Sequence, residues 1–148
     1  MSRAEIDRAA AAHMRVVMQS GTVAPQTKEL CALMVSWLNV CDACVSAHAQ
    51  YAQSLGIPQS QLDALFDYAR APEFDDPTRA ALAATVALTR EPRALPPALR
   101  GALERHYDAE QIYEIVSAIA LYNGVTRVGN ATSGFVTSIS CAPTPAPP

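Results

Sequence analysis

Apolar residues recur along this chain at helical intervals, and no segment alternates like a half-buried strand flanked by hairpin turns. Ser2 and Glu5 have the spacing of a capping box, which predicts a first helix from residue 2 to about residue 19, stopping before Gly21. Thr27 opens a second helix, in which Leu30, Leu33, Met34, Trp37 and Leu38 fall on one buried stripe. A break near Asn39 and Val40 leads to a third helix carrying Cys41, Cys44, His48 and Tyr51. That helix ends at Leu55, with Gly56 as its left-handed cap and Pro58 just beyond. A fourth helix is predicted over residues 59–69, and a fifth is capped by Asp76 with Pro77 at its first position. Pro92, Pro96 and Pro97 punctuate the next connection, and a short helix covers residues 98–105. Asp108 and Gln111 form another capping box. It starts a long helix through Ile112, Ile115, Val116, Ile119 and Ala120, expected to kink or break at Gly124, where Asn123 and Arg127 tie the break.

The fold class that follows is all-α: one domain over residues 1–138, and a Pro-rich tail at 139–148 expected to be disordered. A faint internal echo runs through the helices. TKELCALMV from Thr27 resembles TRAALAATV from Thr78, an offset of 78 − 27 = 51. The second copy has no cysteine, so chemistry is expected in one half only.

Composition narrows the function classes. At 148 residues the chain is long enough to bury a core without staples. A net charge of −3 attracts neither nucleic acid nor an anionic membrane. No apolar run is long enough to span a bilayer, and the N-terminus lacks the apolar core of a signal peptide. These features lead to an expectation of a cytoplasmic protein, in which a disulfide is usually transient and catalytic. The four cysteines, Cys31, Cys41, Cys44 and Cys141, are too few and too uneven for a disulfide scaffold.

The chemistry concentrates in CDACVSAH, residues 41–48. A structural zinc site wants four ligands, and no second close pair accompanies this one, so no metal is expected. Covalent haem attachment needs a histidine directly after the second cysteine, where Val45 stands. A thioredoxin motif follows a strand, whereas MVSWLNV before Cys41 reads as helix. On a helix the two cysteines can bond only with some distortion, which suits a bond that turns over. The helix N-terminus favours a thiolate by about 0.3–1 kcal/mol, which lowers a thiol pKa by at most about one unit. Further activation needs a base. Cys44 and His48 are i and i+4 on one face, whereas Cys41 lies two turns from His48. Cys44 is therefore read as the activated thiol and Cys41 as its resolving partner. Glu29 is the candidate to orient His48: its carboxylate points toward the apolar stripe, and antiparallel packing of the second and third helices about residue 40 brings the two together. The structural alternatives are two small buried thiols, a solvated histidine and a glutamate that favours its helix N-terminus. Cys31 reads as core, Cys141 as exposed, and Tyr51 as core or pocket lining.

Glu29, then Cys41 twelve residues on, Cys44 and His48 resemble the pattern of the AhpD-like alkylhydroperoxidases of the carboxymuconolactone decarboxylase superfamily. TKEL, HAQYAQSLGIPQSQLDAL and AEQIYEIVSAIALYNGVTR are similar as well, so the resemblance covers about residues 10–135. It implies an all-α fold, a homo-oligomer (trimer or hexamer), and reduction of a small-molecule hydroperoxide at the expense of a dithiol reductant, with no cofactor. It also implies that Cys44 attacks peroxide, Cys41 resolves, and His48 and Glu29 relay the proton. Ala43 departs from the pattern, standing where the best-known members carry a histidine. A lactone decarboxylase, which does not need two thiols, and a non-enzymatic thiol redox sensor are the competing readings.

Overall fold

The computed structural model describes residues 1–91 and 93–133. The Pro-rich tail and Cys141 lie outside the described residues. Among the described residues there are seven α-helices and no strand: α1 (Arg3–Gln19), α2 (Pro25–Leu38), α3 (Asp42–Ser54), α4 (Gln59–Asp63), α5 (Asp76–Arg90), α6 (Pro97–Glu104) and α7 (Ala109–Thr132). The all-α expectation holds. Both capping boxes form: Ser2 with Glu5 at the start of α1, and Asp108 with Gln111 at the start of α7. Each satisfies two amide groups that a helix start otherwise leaves open. Gly56 has φ 81° and closes α3, as the residue past a helix end often does.

The centre of the molecule is α2, which packs on α3, α5 and α7. Ten consecutive residues, Thr27 to Ser36, are buried, so this helix has no solvent face along most of its length. One side, with Cys31, Ala32 and Val35, joins Met14, Val17 and Met18 of α1, Ala81 and Ala84 of α5, and Ile115, Ala118, Ile119 and Tyr122 of α7. The other side, with Leu30, Leu33 and Met34, packs with Ala52 of α3, Leu65, Phe74 and Leu82. Burying each large aliphatic side chain here stabilises the fold by roughly 1.5–3 kcal/mol. A helix so enclosed must also bury whatever charges it carries, and α2 carries Lys28 and Glu29 side by side.

Four expectations need correction. Trp37 does not join the buried stripe: it is 46% exposed and meets Phe66 edge-to-face at 5.5 Å. The fourth helix is shorter than residues 59–69, because a 3-10 turn at Leu65–Asp67 follows α4 and turns Leu65 into the core while Phe66 faces out. Helices α2 and α5 begin at Pro25 and Asp76, so their caps are Ala24 and Asp75 in place of Thr27 and Asp76. Helix α7 runs unbroken through Gly124. A glycine there costs about 1 kcal/mol relative to alanine, but Asn123 and Thr126 on its two sides are tied to α5 and to the turn after α2. Arg127 is exposed.

The internal echo falls on α2 and α5, which pack against each other. It extends to their cations. Lys28 and Arg79 each occupy the fourth helical position, and each reaches back to backbone carbonyls of the preceding segment: Val17 and Ser20 for Lys28, Tyr68 and Ala71 for Arg79.

Candidate active site

A tight turn at Asn39–Val40 reverses the chain between α2 and α3. Val40 sits at φ 54°, the one non-glycine residue with positive φ among the described residues. That region costs an L-residue roughly 1–2 kcal/mol, and a β-branched side chain fits it least well. The turn places Cys41 at the N-cap of α3, with its N–H donating to Ser36 O (3.0 Å) and its carbonyl accepting from Val45 N–H (2.9 Å). Cys44 follows in the first helical turn, where the unpaired amides of the helix start favour a thiolate. Cys41 and Cys44 are joined as a disulfide, with Cα atoms 5.2 Å apart. Both are buried, Cys44 completely and Cys41 with 5% of its surface exposed. Val125 of α7 packs against the pair.

One turn further along α3, His48 is fully buried. Its Nδ1 lies 2.6 Å from Glu29 Oε1, and Glu29 is also fully buried. A carboxylate has no proton to give, so in this contact it accepts the Nδ1–H. His48 Nε2 and Glu29 Oε2 have no hydrogen-bond partner among the described residues. Tyr122 of α7 meets the imidazole edge-to-face, ring centres 4.6 Å apart. The hydroxyl of Tyr51 is pushed above its ordinary pKa by burial and by the charge of Glu29, so it stays neutral.

The structure thus brings together all four residues singled out by spacing: Glu29 against His48, His48 one turn beyond Cys44, and Cys44 bonded to Cys41. Tyr122 escaped the sequence reading because one tyrosine among the apolar residues of a buried helix looks like core. Asn39 and Thr126 escaped it because side chains that bind a turn from a distant helix have no local signature. Ala43 is exposed on the first turn of α3. His13 lines a groove of about 520 Å³ between α1 and α7, and His106 is on the surface. Cys31 is a free core thiol, pushed up to about 11 by burial, with Glu29 adding to the rise and Thr85 opposing it. Among the described residues no group of three or more His, Cys, Asp or Glu is arranged to hold a metal ion. No described helix is long and apolar enough to cross a membrane.

The family model of the carboxymuconolactone decarboxylases matches residues 4–87, more than half of the chain and all four site residues. The chain belongs to the carboxymuconolactone decarboxylase family. The uncharacterised protein YnjA of Escherichia coli K12 is 27% identical over 107 residues, which cover 72% of this chain and 59% of YnjA. A protein of unknown function from Agrobacterium tumefaciens, described as a candidate antioxidant defence protein AhpD, has a similar fold. Its TM-score is 0.82 over 92% of this chain and 93% of its own, at 23% identity. A peroxidase-related protein from Ralstonia eutropha JMP134, described as an alkylhydroperoxidase AhpD core, gives 0.78 over 87% of this chain and 69% of its own, at 21% identity. These likenesses place the chain in the AhpD-like all-α fold.

Proposed function

We propose that the chain is a thiol-dependent peroxidase that reduces a small-molecule hydroperoxide through Cys44 and Cys41. One observation carries the reading: a buried Glu29–His48 pair whose second imidazole nitrogen has no hydrogen-bond partner among the described residues, one helical turn beyond a cysteine of a disulfide. A buried polar atom without a partner costs about 1–3 kcal/mol, so a fold that keeps two of them in one pair is holding them for something other than stability.

In the cycle, His48 Nε2 takes the Cys44 proton and Glu29 balances the imidazolium. The Cys44 thiolate attacks the distal peroxide oxygen, the O–O bond breaks, and His48 returns the proton to the leaving alkoxide. Cys44 becomes a sulfenic acid. The Cys41 thiol attacks it, an S–S bond forms, and hydroxide leaves with the thiol proton as water. An external dithiol then attacks the disulfide. Cys41 is its point of entry, since it is the less buried residue of the two and attack there releases Cys44 beside its base. In the disulfide form Cys44 is sealed, so the peroxide reaches it only after reduction parts the sulfurs.

The test measures peroxide consumption with a dithiol reductant in wild type, Cys41→Ser and Cys44→Ser, together with iodoacetamide labelling of the reduced native protein. Turnover lost in both variants and rapid labelling of Cys44 support the proposal. A reduced Cys44 that resists labelling, or turnover on a lactone substrate that ignores Cys41→Ser, sinks it in favour of an inert pair or a lyase. Oxidation without turnover points to a sensor. We also propose self-association. Ile6, Val16, Tyr113 and Val128 are large exposed apolar residues on α1 and α7, and sedimentation in solution tests whether a second copy covers them.

A further inference from the structure

The turn that carries Cys41 is held in its disfavoured conformation from outside. Val40, at φ 54°, has a side chain that is 77% exposed, so its own packing does little to keep it there. The residue before it is held on both ends. Asn39 Nδ2 donates to Asn123 Oδ1 at 3.1 Å and to Thr126 Oγ1 at 2.8 Å, and Asn39 O accepts from Asn130 Nδ2 at 2.7 Å. The orientation of the Asn123 amide is settled by its surroundings. Its Nδ2 donates to Thr89 Oγ1 and to Ile119 O, so its oxygen must be the atom that faces Asn39. Thr126 donates its hydroxyl proton to Tyr122 O at 2.7 Å, which leaves its oxygen free to accept from Asn39. Asn123, Thr126 and Asn130 therefore form a template on α7. The same helix presses Tyr122 on His48 and Val125 on the cysteines, and a Cβ at Gly129 would lie 4.0 Å from Cys41 Sγ.

We propose that Asn39 is a positioning residue for Cys41: clamped by Asn123, Thr126 and Asn130, it keeps the Val40 turn in place so that Cys41 Sγ stays within bonding reach of Cys44. The inference rests on the peroxidase reading for its place in a cycle, since it assigns the clamp to the resolving step. In that step the Cys41 thiol displaces hydroxide from the Cys44 sulfenic acid and the thiol proton leaves in water. The acid–base work of His48 belongs to the step before. The physical quantity at stake is the effective concentration of one thiol at the other, which orientation can raise by orders of magnitude.

The test does not depend on peroxide. Full-length protein is equilibrated in glutathione buffers, and the equilibrium constant for closing the Cys41–Cys44 disulfide is read by mass spectrometry after acid quench and alkylation. Asn39→Ala is expected to lower it by at least about ten-fold, since the turn is then free to leave the left-handed region. Asn130→Ala, at an exposed position that does not threaten folding, is expected to lower it by about three-fold through loss of one hydrogen bond. Val40→Gly on the Asn39→Ala background is expected to restore it to within about three-fold of wild type, because glycine adopts the conformation without a clamp. A general loss of stability would not be rescued at that position. Unchanged closure in Asn130→Ala, or a loss in Asn39→Ala that Val40→Gly leaves in place, overturns the proposal. Predicted closure behaviour in a chain that consumes no peroxide would sink the peroxidase reading while leaving the clamp standing.

Discussion

Lys28 and Glu29 are neighbours in one buried helix, and the protein treats them in opposite ways. Lys28 is 1% exposed, and its ammonium donates to Val17 O, Ser20 O and Glu114 Oε1, at 3.1, 2.7 and 2.5 Å. Glu114 in turn accepts from the amides of Thr22 and Val23 with its other oxygen. Gly21 lets the carboxylate lie close, with φ 90° and no room for a Cβ beside it. All three donors of the lysine are used, and the pair stitches the α1–α2 connection to α7. Glu29 and His48 share one contact and, among the described residues, leave one atom each without a hydrogen-bond partner. The first arrangement is what stability asks of a buried charge. The second leaves two buried polar atoms unsatisfied, which costs stability. Burial of charge alone therefore does not separate the two pairs, whereas incomplete satisfaction does.

The largest effect that would break this contrast is on activity. His48→Ala should lower the rate of peroxide consumption by about 10²–10⁴-fold, the usual range for loss of a general acid–base group. Lys28→Met should leave turnover per folded molecule within about two-fold, since its ammonium bonds Val17, Ser20 and Glu114 and none of the four site residues. Comparable losses in both would erase the distinction. Next, Lys28→Met should cost about 3–5 kcal/mol in urea unfolding, because it strands the Glu114 carboxylate and two carbonyls.

Cys31, two residues beyond Glu29, shows a third way to bury an ionisable group, namely to keep it neutral. With its folded pKa raised from 9.0 to about 11, the native state holds the proton more tightly than the unfolded chain. Its contribution is intact below pH 9 and is lost as pH rises from 9 toward 11, by roughly 2–3 kcal/mol at the upper end. Unfolding midpoints measured across that range should flatten in Cys31→Ala. The smallest effect sharpens the comparison furthest. Replacing Glu29 and His48 together with leucine should change stability by less than about 1.5 kcal/mol, or raise it, since two poorly satisfied groups leave the core together. A large loss would mean that the pair is structural after all.

Much of this was legible in the residues. The capping boxes, Gly56 and Pro77 act through bonds between near neighbours, so the helix boundaries they set were read to within a residue or two. The Cys44–His48 step was legible for the same reason, since i and i+4 share a face in any α-helix. Glu29 was reachable because a carboxylate on an apolar stripe needs a partner. Trp37 was misread because helical period marks a face without saying what covers it, and here Phe66 leaves much of it open. Gly124 was misread because a local helix breaker was weighed without the hydrogen bonds from Asn39 and to Thr89 that hold α7 on either side of it.

Short-range geometry alone settled that the chain is helical, where most helices stop, and that one imidazole lies a turn beyond one cysteine. Only the packing of distant helices decided that Glu29 Oε1 lies against His48 Nδ1, that Tyr122 closes over the ring, and that Asn39 is clamped by α7. Those contacts join residues 19, 74 and 84 or more positions apart. They arise from the burial of α2 on all sides, a property of the assembled bundle that no local stretch of the chain contains.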